Sequence, residues 1–213
     1  MLNIVLYEPE IPTNTGNIMR TCVATGTKLH LIEPLGFKLD EKSIKRSGVN
    51  YIDKLDYVVY PNFDDFKKKN KGTYYYFTRY GKKPHTSFDY KKSYQEGDIY
   101  LIFGKESTGI PREILRQDLE HCMRIPMTSN VRSLNLSNCC AIVIYEVLRQ
   151  LDYLDLLRVE PHKSENFIVD GIDKHEWLKD RNSNRNIYYF FLFLKKCLYS
   201  IWKVELLERR NYD

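Results

Sequence analysis

Five short apolar segments most limit what this chain can fold into: "LNIVLY" (2–7), "KLHLIE" (28–33), "DYVVY" (56–60), "TYYYFT" (73–78) and "DIYLIFG" (98–104). They are rich in β-branched and aromatic residues and apolar almost throughout, the appearance of strands buried on both faces. Between several of them lie stretches with helical spacing, among them Asn17 to Thr25, Asp40 to Ser47, Asn62 to Asn70 and Pro111 to Gln117. Strands alternating with helices predict an α/β fold, a mainly parallel sheet with helices on both faces. A length of 213 residues suits one such domain with an appendage better than two full domains.

The strongest helical pattern follows "MTSNVRSLNLSN" (127–138). Leu136, Cys139, Cys140, Val143, Val147, Leu148 and Leu151 recur at helical spacing and form one apolar stripe. Asn135 or Ser137 caps its start. Ile142, Ile144 and Tyr145 widen the apolar surface, which suits either a central core helix or one packed also against a second subunit. The polar groups crowded ahead of this helix exceed what one cap needs, so they tie down a loop or hold something that is not protein.

From about Arg158 the chain turns polar and weakly periodic, then ends in "IYYFFLFLKKCLYSIWKVELLERR". The apolar block before Lys195 and Lys196 is only eight residues, far short of the roughly 20 that span a bilayer. No membrane span is expected, and a packed helix fits this block better than an interfacial one. The N-terminal "MLNIVLYEPE" lacks the basic start and cleavage site of a signal peptide and reads as a strand. Five cysteines without a C-x-x-C pair read as reduced core thiols of a cytoplasmic protein. No ligand spacing for a metal is present. A net charge of +5 permits an anionic partner without requiring one.

Three loop-like stretches follow predicted strands: "EPEIPTNTGNIMR" (8–20), "FGKESTGIP" (103–111) and the polar run after "MRIP" (123–126). In open α/β sheets the carboxyl ends of the strands line the usual ligand crevice, so these loops are candidates to converge there. In the first, Asn14 or Thr15 is placed to cap a helix, and Arg20 carries a fork suited to phosphate or carboxylate. In the second, Gly104 and Gly109 allow tight turns, and Pro111 suits the first turn of a helix. Plain turn chemistry does not call for Glu106. Neither a Walker loop nor a dinucleotide fingerprint is present.

Together, "NTGNIMR", "FGKESTGIP" and "RIPMTSNVRSLNLSN", in that order and ending in an apolar helix, resemble the three motifs of the SpoU branch of the SPOUT RNA ribose methyltransferases. A wider match takes in "LNIVLYEPEIPTNTGNIMRTC", "LHLIEPLGF", "KRSGVNY" and "IVIYEVLRQ". It is similar to the small tRNA wobble-position 2′-O-methyltransferases of that branch, the TrmL group. The resemblance covers roughly residues 1–157 and leaves 158–213 as a C-terminal extension of unknown role. Thr13 stands where the group usually has proline.

The resemblance implies an α/β domain whose C-terminal part is threaded into a trefoil knot, with knot loops around 77–81, 102–109 and 123–135 forming an S-adenosylmethionine pocket. It places Phe77, Gly104, Ile125 and Ser133 at the cofactor, largely through backbone, with Thr78, Gly109 and Leu134 as neighbours. It carries functional roles onto Asn14, Arg20, Glu106, Ser133 and Asn135. Arg20 would grip the phosphate beside the target ribose, and Glu106 would fix either Arg20 or the loop. The implied reaction is 2′-O-methylation of the wobble nucleotide (position 34, cytidine or modified uridine) of tRNA, with tRNA-Leu as the expected substrate, by a cytoplasmic homodimer. Lys45, Arg46 and Tyr145 fall where tRNA contacts are reasonable. "GFKLDEKSIKRSGVNY" and "RYGKKPH" add Lys38, Lys42, Arg79, Lys82 and Lys83 as further cations, although a charge run is by default a solvated face. The competing readings are the same chemistry at another tRNA position or on ribosomal RNA, and a knotted protein that binds RNA without modifying it.

Overall fold

A computed structural model describes residues 1–39, 52–163 and 167–170. Among these, the order is β1 (Leu2–Tyr7), α1 (Pro12–Thr25), β2 (Lys28–Ile32), a 3-10 turn (Ile52–Lys54), β3 (Tyr57–Tyr60), α2 (Phe63–Lys69), β4 (Thr73–Phe77), β5 (Lys83–Pro84), α3 (Tyr90–Glu96), β6 (Ile99–Phe103), α4 (Arg112–Leu115), a 3-10 turn (Leu119–His121), β7 (Cys122–Arg124), α5 (Leu136–Gln150) and α6 (Phe167–Asp170). The chain divides into two compact units, Met1–Leu156 and Leu157–Asp213. The second contains α6. The helix expected over Asp40 to Ser47, and with it Lys42, Lys45 and Arg46, lies outside the described residues, as does most of the C-terminal extension.

The seven strands form one sheet in the order β3-β2-β1-β6-β4-β7-β5, and every pairing is parallel. Alternate residues of each strand serve opposite faces. In β6, Ile99, Leu101 and Phe103 join one apolar cluster, and Tyr100 and Ile102 the other. The first cluster is completed by Ile18, Met19 and Cys22 of α1, Tyr90 of α3 and the inner face of α5. The second is completed by Phe63 and Phe66 of α2 and Ile114 and Leu115 of α4. Helices on both sides explain why all five positions of β6 are apolar.

Local signals account for most helix ends. Asn62 accepts the Asp65 N–H at 2.8 Å and caps α2. Acidic residues fill that helix's first turn and lysines its last, matching the helix dipole. Asn135 caps α5, accepting from Ser137 N at 2.9 Å and Ser137 Oγ at 2.7 Å. On α5, Cys140, Val143, Ile144, Val147 and Leu148 are buried, whereas Ile142 and Tyr145 are 40% and 48% exposed.

The start of α1 departs from expectation. The helix begins at Pro12, with Ile11 as an N-cap that offers no side-chain bond, so neither Asn14 nor Thr15 is the cap. Proline tolerates the first helical position because the N–H it lacks has no partner there anyway. That frees the Asn14 side chain, which is only 6% exposed, for other partners.

The region around β7 is tightly packed. This strand lies between β4 and β5, two segments that precede it in the chain and are joined directly to each other. Thr78 N–H donates to Met123 O at 2.8 Å on one side, and His85 N–H to Arg124 O at 2.9 Å on the other. Gly81 packs so closely that a Cβ there would lie 2.3 Å from the Met123 carbonyl carbon. Cys22, Cys122, Cys139 and Cys140 are unpaired thiols. Burial pushes Cys22 up to about 12, consistent with core packing rather than reactivity.

Candidate active site

Four strand ends stand in one row of the sheet. Leu6 pairs with Phe103, Phe103 with Phe77 and Phe77 with Met123. Because the strands run parallel, the segments after β1, β4, β6 and β7 leave from the same edge. The three motif loops therefore converge beyond the carboxyl ends of the strands, where open α/β sheets bind ligands.

The loops are joined by a directional chain of hydrogen bonds. The Glu106 carboxylate accepts from the Glu10 N–H and from Asn14 Nδ2, both at 2.9 Å. Asn14 Oδ1 then accepts from Asn135 Nδ2 at 2.9 Å, leaving Asn135 Oδ1 for the α5 cap. Each amide has its nitrogen on an acceptor and its oxygen on a donor, so the network itself dictates which way both side chains point. Residues 92 and 121 positions apart are brought into contact.

Two further links tie the first loop to the second. Lys105 Nζ meets Glu8 Oε2 at 2.6 Å. Ser107 donates to Glu10 through its N–H and its Oγ, both at 2.8 Å. These hydrogen bonds hold the Glu10 carboxyl below its usual range. Burial opposes ionisation of Glu8, but its bonds from Lys105 and Tyr7 outweigh that and lower its pKa as well. None of Glu8, Glu10, Lys105 and Ser107 figured among the site residues expected from sequence. The usable signal was two acidic residues at alternate positions in "EPE" and a cation beside Glu106 in "KES".

The other expected residues are distributed as follows. Arg20 is exposed on α1. It lies six residues, and so about 240° of helical rotation, beyond Asn14. Glu106 is engaged with the first loop through the Glu10 N–H and with the Asn14 amide. Ser133 is exposed in the segment ahead of α5, and Leu134 is half-buried beside it. Phe77 ends β4 and stacks on Phe103 with ring centroids 4.9 Å apart. Thr78 is held to β7 by its N–H. Ile125 packs against the first core cluster. Gly109 has φ +76°, and its N–H closes the loop onto Lys105 O at 2.9 Å. A Cβ on Gly104 would lie 2.1 Å from the Gly109 carbonyl carbon, so only glycine permits this turn. Arg79 and Lys82 are exposed, but Lys83 is committed to Glu120 at 2.7 Å. Among the described residues no acidic, histidine or cysteine cluster is placed to hold a metal ion, and no helix is long and apolar enough to cross a membrane.

Residues 1–145 match the SpoU rRNA Methylase family. A Bacillus subtilis protein with the provisional name tRNA (cytidine(34)-2′-O)-methyltransferase is 48% identical over 156 residues, covering 73% of this chain and 96% of its own. The tRNA (cytidine(34)-2′-O)-methyltransferase of Saccharophagus degradans is 46% identical over 155 residues, covering 72% and 97%. A solved structure described as giving insight into 2-OH methylation of C/U34 on tRNA superposes with a TM-score of 0.65 at 39% identity, covering 72% of this chain and 97% of its own. A family match over most of the first compact unit, relatives aligned along nearly their full length, and motif loops joined at one sheet edge have a single reading: the chain belongs to the SpoU methylase family.

Proposed function

We propose that this protein is an S-adenosylmethionine-dependent tRNA methyltransferase that methylates the ribose 2′-hydroxyl of the wobble nucleotide, position 34, with a cytidine or modified uridine of tRNA-Leu as its target. The observation that carries this reading is the Glu106–Asn14–Asn135 chain, which brings all three motif loops to one place. The relatives named for cytidine 34 support the position.

The segments after β4, β6 and β7 suit the cofactor, because Gly81 and Gly104 let backbone run where a side chain would not fit. Phe77, Thr78, Gly104, Gly109, Ile125, Ser133 and Leu134 would hold it, mainly through main-chain groups, in a pocket closed by the trefoil threading of β7. When bound, S-adenosylmethionine supplies an electrophilic methyl group on a sulfonium.

The remaining task is to place a ribose hydroxyl in line and stabilise charge as its proton leaves. A guanidinium offers donors and no acceptor, so Arg20 is not suited to act as the base. Exposed and without a hydrogen-bond or ion-pair partner among the described residues, it grips the phosphate beside the target ribose and offsets the developing alkoxide. Asn14 and Asn135 orient the loop and the ribose, Glu106 holds Asn14, and Ser133 assists positioning. The protein acts as a cytoplasmic homodimer, and the exposed Ile142 and Tyr145 on α5 supply apolar surface for that interface. Lys45 and Arg46 extend the tRNA contact.

The test is transfer of a labelled methyl group to unfractionated tRNA followed by nucleoside mapping. Label at the 2′-oxygen of nucleotide 34 is the expected result. Label confined to ribosomal RNA, or to another tRNA position, would overturn the substrate assignment. Absence of transfer alongside retained RNA binding would favour a silent binding protein.

A further inference from the structure

We infer that Glu10 and Ser107 are positioning residues for the methyl transfer, holding Glu106 and Asn14 in their working arrangement from outside the reacting groups, with Glu8–Lys105 as a flanking strut. This rests on the functional reading above and adds to it residues that touch neither RNA nor cofactor in that scheme.

The geometry is reciprocal. The Glu10 backbone N–H donates to the Glu106 side chain at 2.9 Å. The residue after Glu106, Ser107, returns two bonds to the Glu10 side chain at 2.8 Å each. Both Glu10 carboxylate oxygens are occupied by one residue, so its side chain cannot rotate without losing both bonds. Three consecutive residues of the second loop, 105 to 107, each grip the segment 8–14. A single tie would be enough to keep two surface loops together; three in succession fix the orientation of the residue in the middle, Glu106.

The Glu10 backbone is also braced from behind. Gly36 N–H donates to Pro9 O at 2.9 Å. A Cβ on Gly36 would lie 2.6 Å from Glu10 Cα. The Glu10 amide is thereby wedged between the 33–37 segment and Glu106, and its direction sets where that carboxylate lies. Catalysis by positioning is sensitive to displacements of about 1 Å, which cost on the order of 100-fold in rate. Residues that hold such a relay should thus influence turnover more than binding.

The full-length protein is tested as Glu10→Ala, Ser107→Ala and Ser107→Thr, with Glu10→Gln as a volume-preserving alternative should the alanine variant fail to fold. Glu10→Ala should lower kcat about tenfold or more while the KM values for tRNA and S-adenosylmethionine stay within about twofold. Ser107→Ala keeps its backbone bond and should lose about threefold, and Ser107→Thr should restore the wild-type rate. An independent readout is the pair of side-chain amide resonances of Asn14 and Asn135 in 15N-labelled protein, which should shift in the Glu10 variants. An unchanged kcat, an effect confined to KM, or unmoved amide resonances would each overturn the inference. Should the wild-type protein transfer no methyl group, the functional reading fails, and the amide resonances still decide whether Glu10 holds the relay.

Discussion

Two asparagine-centred networks lie in the same domain and end differently. Inside the sheet, Asn3 Nδ2 donates to the carbonyls of Met1 and Ile99, so its Oδ1 is left to accept from His30 Nε2 at 3.1 Å. His30 Nδ1 lies 3.1 Å from the Tyr60 hydroxyl, and that oxygen accepts from Asn70 Nδ2 at 3.1 Å. The Asn3 oxygen calls for a proton on Nε2, and burial disfavours a second proton on Nδ1, which keeps the imidazole neutral. His30 is 1% exposed and lies against the rings of Tyr60, Phe66 and Tyr100. The network at the sheet edge instead contains a carboxylate, and Ser133 and Asn138, next to Asn135 in the chain and at its cap, are exposed. A closed neutral network specifies a core. An oriented network that includes charge and opens outward has capacity left for a ligand.

The contrast is broken most severely at Arg20. Arg20→Ala should lower kcat by about 100- to 1000-fold, with S-adenosylmethionine affinity within about twofold and an unaltered thermal midpoint. Calorimetry and single-turnover methylation together check this, and an undiminished rate would remove Arg20 from the reaction.

Acid should next attack the closed network. Burial, joined by the Lys28 charge, depresses the His30 pKa from 6.5 to about 4. The unfolded chain binds this proton more readily, so the contribution of His30 to stability is complete above about pH 6.5 and is lost as pH falls towards 4. The loss amounts to about 3 kcal/mol. Urea melts at pH 7 and pH 4.5 should show it in the wild type and not in His30→Gln. Equal pH dependence in both would mean that the imidazole is not held neutral.

The smallest effect separates the two roles of a helix cap. Asn62→Ala and Asn135→Ala should each cost about 1 kcal/mol of stability. Only Asn135→Ala should also slow methylation, by about tenfold, because Asn135 Nδ2 additionally holds Asn14. Equal activity in both variants would reduce Asn135 to a cap.

Local chemistry made much of this legible beforehand. The continuous apolar strands foretold a sheet covered on two sides, Asn62 and Asn135 stand at helix starts as their residue type suggests, and the four described cysteines are unpaired core thiols. The inner stripe of α5 was readable too, with Ile144 added to it. One local reading failed for an identifiable reason. At Pro12, backbone preference began α1 earlier than side-chain capping suggested, because the Asn14 amide is committed elsewhere. Glu8 and Glu10 were not singled out, since their partners lie 97 residues away.

Amino-acid order by itself determined the five long apolar strands, which helices bury one face and which loops hold the chemically capable residues. Those outcomes depend on contacts within a few residues or on simple burial. Tertiary structure alone decided that β7 would lie between β4 and β5, that Leu6, Phe103, Phe77 and Met123 would end in one row, and that Glu106, Asn14 and Asn135 would share hydrogen bonds. Strand order and loop meeting depend on pairings between residues far apart in the chain, and no local preference encodes which distant partner a backbone or carboxylate will find.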